Sequence, residues 1–268
     1  MRVESIYEKG TGVMNEDFYF ARGSRFGVFD GATSLSPDVY EQGCTGGYLA
    51  SNIAGQVFAS GEEPLLSLAD KANSAICTAM QERGVDLTEK EFLWSTSAAV
   101  VNLEEDYFEW VQIGDCLVML INEDGSHELL CGGFDHDCET LKMWQEVSKE
   151  AGGPILNVLR DQILKVRGQM NVSYGVFSGE KEALSFLNHG QRSLEGVSSI
   201  LLFTDGLFLP SCDPESRCDF SRFSEIFQQG GLTGVRDYIR TIEQDDHNCC
   251  RYPRFKTHDD IAAISISF

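Results

Sequence analysis

Positive charge is scarce in this 268-residue chain: 21 Lys and Arg stand against 42 Asp and Glu, for a formal net charge of −21 at pH 7 and an isoelectric point near 4.5. Such a surplus repels phosphate backbones and anionic lipid heads, which excludes nucleic acid and membrane surface as expected partners and favours divalent cations. Proline is scarce too, with six residues and no Pro- or Ser-rich linker or internal repeat, so a single domain over 1–268 is expected. No apolar stretch approaches the ~18 residues of a membrane span, and Met1–Lys9 has no apolar h-region, which makes a cytoplasmic protein the expectation. The nine cysteines are odd in number and contain no CxxC pair, which argues against a disulfide framework and a zinc ribbon and for reduced thiols. His247, Cys249 and Cys250 crowd together, with Cys212, Cys218 and His258 elsewhere, but in no tetrahedral spacing.

What is present is apolar content of 42%, enough for a substantial core. Apolar runs of strand length recur at Phe18–Phe20, Phe26–Phe29, Ser97–Val101, Tyr107–Ile113, Leu117–Ile121, Ile200–Phe203 and Ile261–Ile266. The short connections Arg22–Ser24, Glu104–Asp106 and Gly114–Cys116 suit antiparallel hairpins and leave no room for crossover helices. Helical pattern fills the gaps, at about Tyr40–Ser60, Pro64–Arg83, Glu139–Ala151, Glu180–Leu187 and Leu232–Asp245. Strands in blocks and helices in others predict a layered α+β domain rather than an alternating βαβ fold.

The chemistry stands at the strand ends. Val28-Phe29-Asp30-Gly31, Ile113-Gly114-Asp115 and Phe203-Thr204-Asp205-Gly206 each leave an apolar run on a carboxylate, and His258-Asp259-Asp260 enters one. Pairing Phe18–Phe20 with Phe26–Phe29 puts Asp17 and Asp30 on one sheet edge; neighbouring antiparallel strands can bring Asp205 and Asp259 to the same edge, and Asp115 is expected in a hairpin turn. Carboxylates so gathered cannot all ionise without a counter-charge, and Mg²⁺ or Mn²⁺ with oxygen ligands supplies one. A glycine after Asp30 lets a backbone carbonyl approach an ion. Each Asp-Gly alone is also a common turn signal.

In order, Asn15-Glu16-Asp17, Val28-Phe29-Asp30-Gly31, Ser95-Thr96-Ser97-Ala98, Gly114-Asp115, Thr204-Asp205-Gly206-Leu207 and Asp259-Asp260-Ile261-Ala262 closely resemble the successive motifs of the PPM/PP2C metal-dependent Ser/Thr protein phosphatases, over nearly the whole chain. The resemblance implies an αββα sandwich, two antiparallel β-sheets flanked by helices, with two Mg²⁺ or Mn²⁺ ions at one end. By it, Asp30 bridges the two ions, the Gly31 carbonyl binds the second, and Asp205 and Asp259 hold the first. Glu16 and Asp17 are the acidic pair around metal-bound waters, with Asp17 counted among the metal-binding residues, and Asp115 is a position that can recruit a third ion. Asp260 stands where the family usually has Asn. The implied reaction is hydrolysis of a phosphomonoester on protein Ser or Thr by a metal-activated water, with no covalent enzyme intermediate and no role for Cys116 as nucleophile.

Two positions depart from the family's pattern. Gly12 replaces a phosphate-binding Arg, for which Arg2 or Lys9 is a less directional substitute unless both are solvated surface. Ala32 replaces a His, with His136 and His258 as possible stand-ins to protonate the leaving oxygen. Three readings follow: a protein Ser/Thr phosphatase, a same-fold phosphatase for a small phosphorylated molecule, and an inert regulatory or binding homologue. The segments 132–196 and 209–222 are expected to carry specificity, and most of the acidity is expected to be solvated surface that favours basic over acidic phosphopeptides.

Overall fold

The computed structural model describes residues 1–36, 38–132, 136–150, 153–216 and 218–268. Residues 133–135, 151 and 152 of the 132–196 segment, Ala151 being the expected end of a helix, and residue 217 of the 209–222 segment lie outside the described residues. Strands β1 (Arg2–Glu8), β2 (Phe18–Arg22) and β3 (Arg25–Gly31) precede helices α1 (Gly46–Ser60) and α2 (Leu65–Glu82). Next come β4 (Thr96–Leu103), β5 (Tyr107–Ile113), β6 (Leu117–Asn122) and β7 (His127–Leu129), then α3 (Cys138–Val147), α4 (Ile155–Val158) and α5 (Arg160–Arg167). The chain closes with β8 (Asn188–Ser193), β9 (Val197–Phe203), α6 (Phe220–Asp245) and β10 (Ile261–Ser267).

Two five-stranded antiparallel sheets result, in the orders β2-β3-β4-β5-β8 and β1-β10-β9-β6-β7. Side chains alternate along each strand, so the central strands bury both faces and read as unbroken apolar runs. Val28, Ala99 and Val101 of the first sheet meet Val118, Leu202 and Ile264 of the second in one core layer. The opposite faces pack against helices: Phe29, Ala98 and Val100 against α1 and α2, and Met119, Phe203 and Ala263 against α6. This is the expected α+β fold, with helices outside a double sheet. A satellite cluster of Leu35, Trp144, Ile155, Leu159 and Ile163 holds α3, α4 and α5 beside the sandwich.

The hairpins around Arg22–Ser24 and Glu104–Asp106 pair as expected, with Phe18 opposite Phe29 and Leu103 opposite Phe108. The hairpin expected at Gly114–Cys116 does not form. There β5 stays between β4 and β8 while β6 enters the other sheet between β9 and β7, so the turn is a crossing from one sheet to the other. Gly114 makes the crossing at φ +73°, a left-handed conformation that costs glycine little. Helix α1 starts at Gly46, with Thr45 as its N-cap, rather than at Tyr40, because Gln42 and Gly43 take positive φ. Helix α6 extends back from the expected start at Leu232 to Phe220, across a break at Gly231, and absorbs the end of the 209–222 segment. The 180–187 segment forms a 3-10 turn over Lys181–Phe186.

Candidate metal centre

One end of the sandwich collects the acidic strand ends from both sheets. In the first sheet, Asp17 enters β2 beside the outgoing end of β3, where Asp30 lies opposite Ser97. In the second, β9 leads out to Thr204 and Asp205 next to the incoming end of β10, where Asp259 and Asp260 precede Ile261; the Thr204 N–H donates to the Ala262 carbonyl at 3.0 Å. Thr204 ties the two sheets together here, its hydroxyl donating to Asp17 Oδ2 at 2.7 Å. Asp115, on the sheet-to-sheet crossing, accepts from Ser97 Oγ at 2.7 Å.

The electrostatics record the gathering. Burial, reinforced by Asp17, Asp205, Asp115 and Asp259, pushes the Asp30 carboxyl well above the usual carboxylate range. Burial also raises Asp17, against the Thr204 hydrogen bond and with help from Asp259, Asp260 and Asp205. Asp205 is pushed up to about 8 by burial and by Asp259 and Asp115, and shares a hydrogen bond with Asp30. Like charges held this close in a poorly solvated pocket favour protonation or a cation. Asp30, Asp115, Asp205 and Asp259 line a cavity of about 120 Å³.

Glu16 sits behind this wall. Its Oε1 accepts from Thr45 Oγ1 at 2.5 Å and its Oε2 from Thr33 Oγ1 at 2.9 Å, while burial raises its carboxyl. Thr45 thus caps α1 and holds Glu16 at once. Asp260, whose charge helps raise Asp17 and Glu16, also grips the first acidic segment from below: its carboxylate accepts the Gly10 N–H at 2.7 Å and the Glu16 N–H at 2.9 Å. Its two oxygens serve two backbone donors, an arrangement an asparagine side chain, with one acceptor oxygen, cannot reproduce.

Gly31 ends a strand rather than a turn, and Gly206 sits in a 3-10 turn over Asp205–Leu207, but neither takes positive φ, so left-handed freedom explains neither glycine. Close approach explains them. A Cβ on Gly31 would stand 2.3 Å from the Gly47 carbonyl oxygen and 2.5 Å from that of Glu16; one on Gly206 would stand 1.8 Å from the Asp260 oxygen.

The donor set is hard oxygen throughout, the chemistry that suits Mg²⁺ or Mn²⁺. Among the described residues no group of three or more His, Cys, Asp and Glu side chains stands in metal-holding geometry. The carboxylates are instead tied to one another and to Lys256, whose Nζ lies 2.7 Å from Asp259 Oδ1. Burial alone would lower that ammonium, but Asp259 outweighs it and holds the pKa above the ordinary lysine value. The sequence reading missed Lys256; a cation three residues before the Asp-Asp pair is the signal that points to it.

The other expected residues fall out as follows. Arg2 pairs with Glu4 and Lys9 Nζ donates to the Val13 carbonyl, both on exposed surface. His258 Nδ1 is 2.8 Å from Glu243 and is committed there. His136 lines the carboxylate cavity, its ring stacked flat on Tyr174 at 4.1 Å. Cys116 is buried in the layer between the sheets, its thiol pushed up by burial and by Asp30 and Asp115, which removes it as a nucleophile. All nine cysteines are among the described residues, and none is in a disulfide.

The loop after α6 supplies Lys256, and Asp246 builds that loop. Its carboxylate accepts the N–H groups of Cys250, Arg251 and Tyr252 and the Arg254 guanidinium at 2.9–3.1 Å. Burial opposes the charge, yet these donors win and hold the carboxyl below its ordinary range. An acid with a lowered folded value stabilises the fold above its unfolded pKa and loses that contribution as pH falls through the folded one. Wild-type protein should therefore lose thermal stability more steeply than Asp246→Asn between about pH 5 and pH 2. Parallel melting curves over that range would exclude the clamp.

The protein phosphatase 2C family model matches residues 9–239. No curated protein matches the sequence at a significant level. Among solved structures, the serine/threonine phosphatase PstP/Ppp of Mycobacterium tuberculosis is similar with a TM-score of 0.60 at 17% identity, covering 100% of this chain and 98% of that one. The PstP catalytic domain in complex with two manganese ions has a TM-score of 0.58 at 17% identity, covering 98% and 96%. The serine/threonine phosphatase Stp1 of Staphylococcus aureus has a TM-score of 0.60 at 14% identity, covering 99% and 94%.

Proposed function

The chain belongs to the protein phosphatase 2C family, and from that premise we propose that it is a single-domain, cytoplasmic hydrolase of phosphoserine and phosphothreonine in proteins, using Mn²⁺ or Mg²⁺. The observation that carries this reading is that Asp30, Asp115, Asp205 and Asp259, drawn from both sheets, line one cavity, with Asp17 close enough to raise the Asp30 carboxyl. On this reading Asp30 with the Gly31 carbonyl, Asp205 and Asp259 would hold two ions, Asp17 and Glu16 would hold their waters, and Asp115 would serve a third. Such ions, when bound, would supply an activated water for attack on phosphorus and charge neutralisation of the transferred group.

The chain's own side chains do the rest. Thr204 fixes Asp17, Ser97 fixes Asp115, and Thr33 and Thr45 fix Glu16, so the acceptors are oriented before substrate arrives. A groove of about 850 Å³, walled by residues 11–14, α4 and the 247–257 loop, adjoins the carboxylate cavity and has room for a peptide. Thr33 and Lys256 line both spaces. His136, on the cavity wall, is the imidazole placed to give a proton to the leaving oxygen.

Hydrolysis of an aryl phosphate should require added Mn²⁺ or Mg²⁺ and stop on chelation; full activity in excess chelator would refute the metal-dependent mechanism. A phosphopeptide panel set beside phosphorylated metabolites tests the substrate class, and faster turnover of the metabolites would refute the protein assignment. The groove carries Lys149 and Arg254 as well as Glu16 and Asp38, so the surplus acidity acts at long range. Basic flanks should raise kcat/KM roughly 3- to 10-fold over acidic ones at low salt and lose that advantage above ~0.2 M salt. Equal turnover at low salt would show the surface charge to be irrelevant.

A further inference from the structure

We propose that Lys256 is the residue that binds the phosphoryl group of the substrate, a phosphate monoester dianion. The role rests on the phosphatase reading above. Lys256 stands where the carboxylate cavity opens into the peptide groove, and its side chain is only 17% exposed. A phosphoryl group passing from groove to cavity meets this ammonium. Residues 11–14, which line the groove, include no cation, and Gly12 has no side chain.

Three other cations border these spaces: Lys149 and Arg254 line only the groove, and Arg167 only the carboxylate cavity. Arg167 gives its guanidinium to the Thr33 carbonyl at 3.1 Å and to Ser95 Oγ at 3.5 Å. Arg254 is consumed by Asp246 and by the carbonyls of Glu243, Tyr252 and Thr257. Lys256 alone of the four lines both spaces, and it donates to a carboxylate of the cavity, Asp259. That partner belongs to the set proposed to hold a divalent cation. An ammonium has three donors and one point charge, so when Asp259 is engaged elsewhere, Nζ retains both the charge and the hydrogens for an anion beside it.

The backbone around Lys256 is built to hold it. Asp246 gathers three consecutive N–H groups, Arg254 staples the loop across its own carbonyls, and Thr257 Oγ1 donates to the His247 carbonyl at 3.0 Å. Phe255 packs against the satellite core that contains Trp144 and Ile155. A lysine serving only as a surface counter-ion needs no such anchorage.

The test is calorimetric titration of inorganic phosphate into protein saturated with Mn²⁺, for wild type, Lys256→Gln, Lys256→Met, Lys256→Arg and Arg167→Gln. Loss of a charge-assisted hydrogen bond should weaken phosphate roughly 10- to 100-fold in the Gln and Met variants, with Arg recovering most of it. KM for an aryl phosphate should rise in parallel while Mn²⁺ stoichiometry stays that of wild type. Unchanged phosphate affinity would overturn the proposal. So would tighter Mn²⁺ binding with unchanged phosphate affinity, which would make Lys256 a mere counter-charge to Asp259, or weakening by Arg167→Gln but not by Lys256→Gln. Failure of wild-type protein to bind Mn²⁺ at all would instead remove the phosphatase reading, and this role with it.

Discussion

Asp205→Asn should lower metal-dependent phosphatase activity by roughly 10³-fold or more, the scale expected when a di-metal site loses a ligand, while leaving the fold intact. The two halves of that outcome have one cause. Asp205 leaves β9 into a pocket where burial, Asp259 and Asp115 push its carboxyl up to about 8. An acid with a raised folded pKa destabilises the fold as pH rises from its unfolded value through the folded one, because the buried charge is harder to make than the same charge in the open chain. Asparagine removes that charge and keeps the shape. In chelator, wild type and variant should melt close together at about pH 4, near the unfolded value, and the variant should gain on wild type as pH rises to about 8 and hold its lead above that. Excess Mn²⁺ should reverse the order, since a cation that binds only the native state stabilises it by mass action. A variant that melts below wild type in chelator at pH 9 would show that Asp205 is a structural acceptor and not a strained one.

Repulsion held in place by the fold also explains which parts of the molecule the sequence reveals. The strands that carry Asp30, Asp205 and Asp259 bury both faces, so they read as apolar runs that stop on an acid. Strand β1, β7 and β8 do not read at all: they are edges or short, and β8, Asn-His-Gly-Gln-Arg-Ser, is almost wholly exposed. An edge strand is held by ladder hydrogen bonds that leave no mark on hydrophobic pattern. The Gly114 crossing misleads for the opposite reason, since β5 and β6 are apolar enough to pair with each other and only tertiary packing sends them to different sheets.

The candidate site divides in the same way. Its acceptors are legible because carboxylates at strand ends are conspicuous. The donors that aim them, Thr33, Thr45, Ser97 and Thr204, are ordinary residues whose work depends on partners up to 187 positions distant. Asp260 illustrates the difference: from its neighbours it reads as another site charge, and only the fold reveals that both its oxygens are spent on the N–H groups of Gly10 and Glu16.

Gly206→Ala should be among the most damaging single substitutions in the chain, although it adds one methyl group and changes no charge. The added carbon would stand 1.8 Å from the Asp260 carbonyl oxygen and 2.9 Å from its carbonyl carbon, and both neighbours are backbone. No rotamer relieves the clash; β9 and β10 must separate where Thr204 pairs with Ala262. A cost of about 3–5 kcal/mol is expected, at the upper end of overpacking and strain effects. Such a displacement moves Asp205 relative to Asp259 and takes Asp260 away from Glu16, so Mn²⁺ affinity should fall along with thermal stability. Gly230→Ala in α6 is the matched control. Its Cβ would meet nothing within 4 Å and its φ is not positive, so alanine there should be neutral or stabilise by up to ~1 kcal/mol through helix propensity. Equal melting temperatures for the two variants, or a Gly206→Ala protein that keeps wild-type Mn²⁺ affinity, would show that the junction of β9 and β10 has slack, and that the aspartates are not held by the close approach of these two backbones.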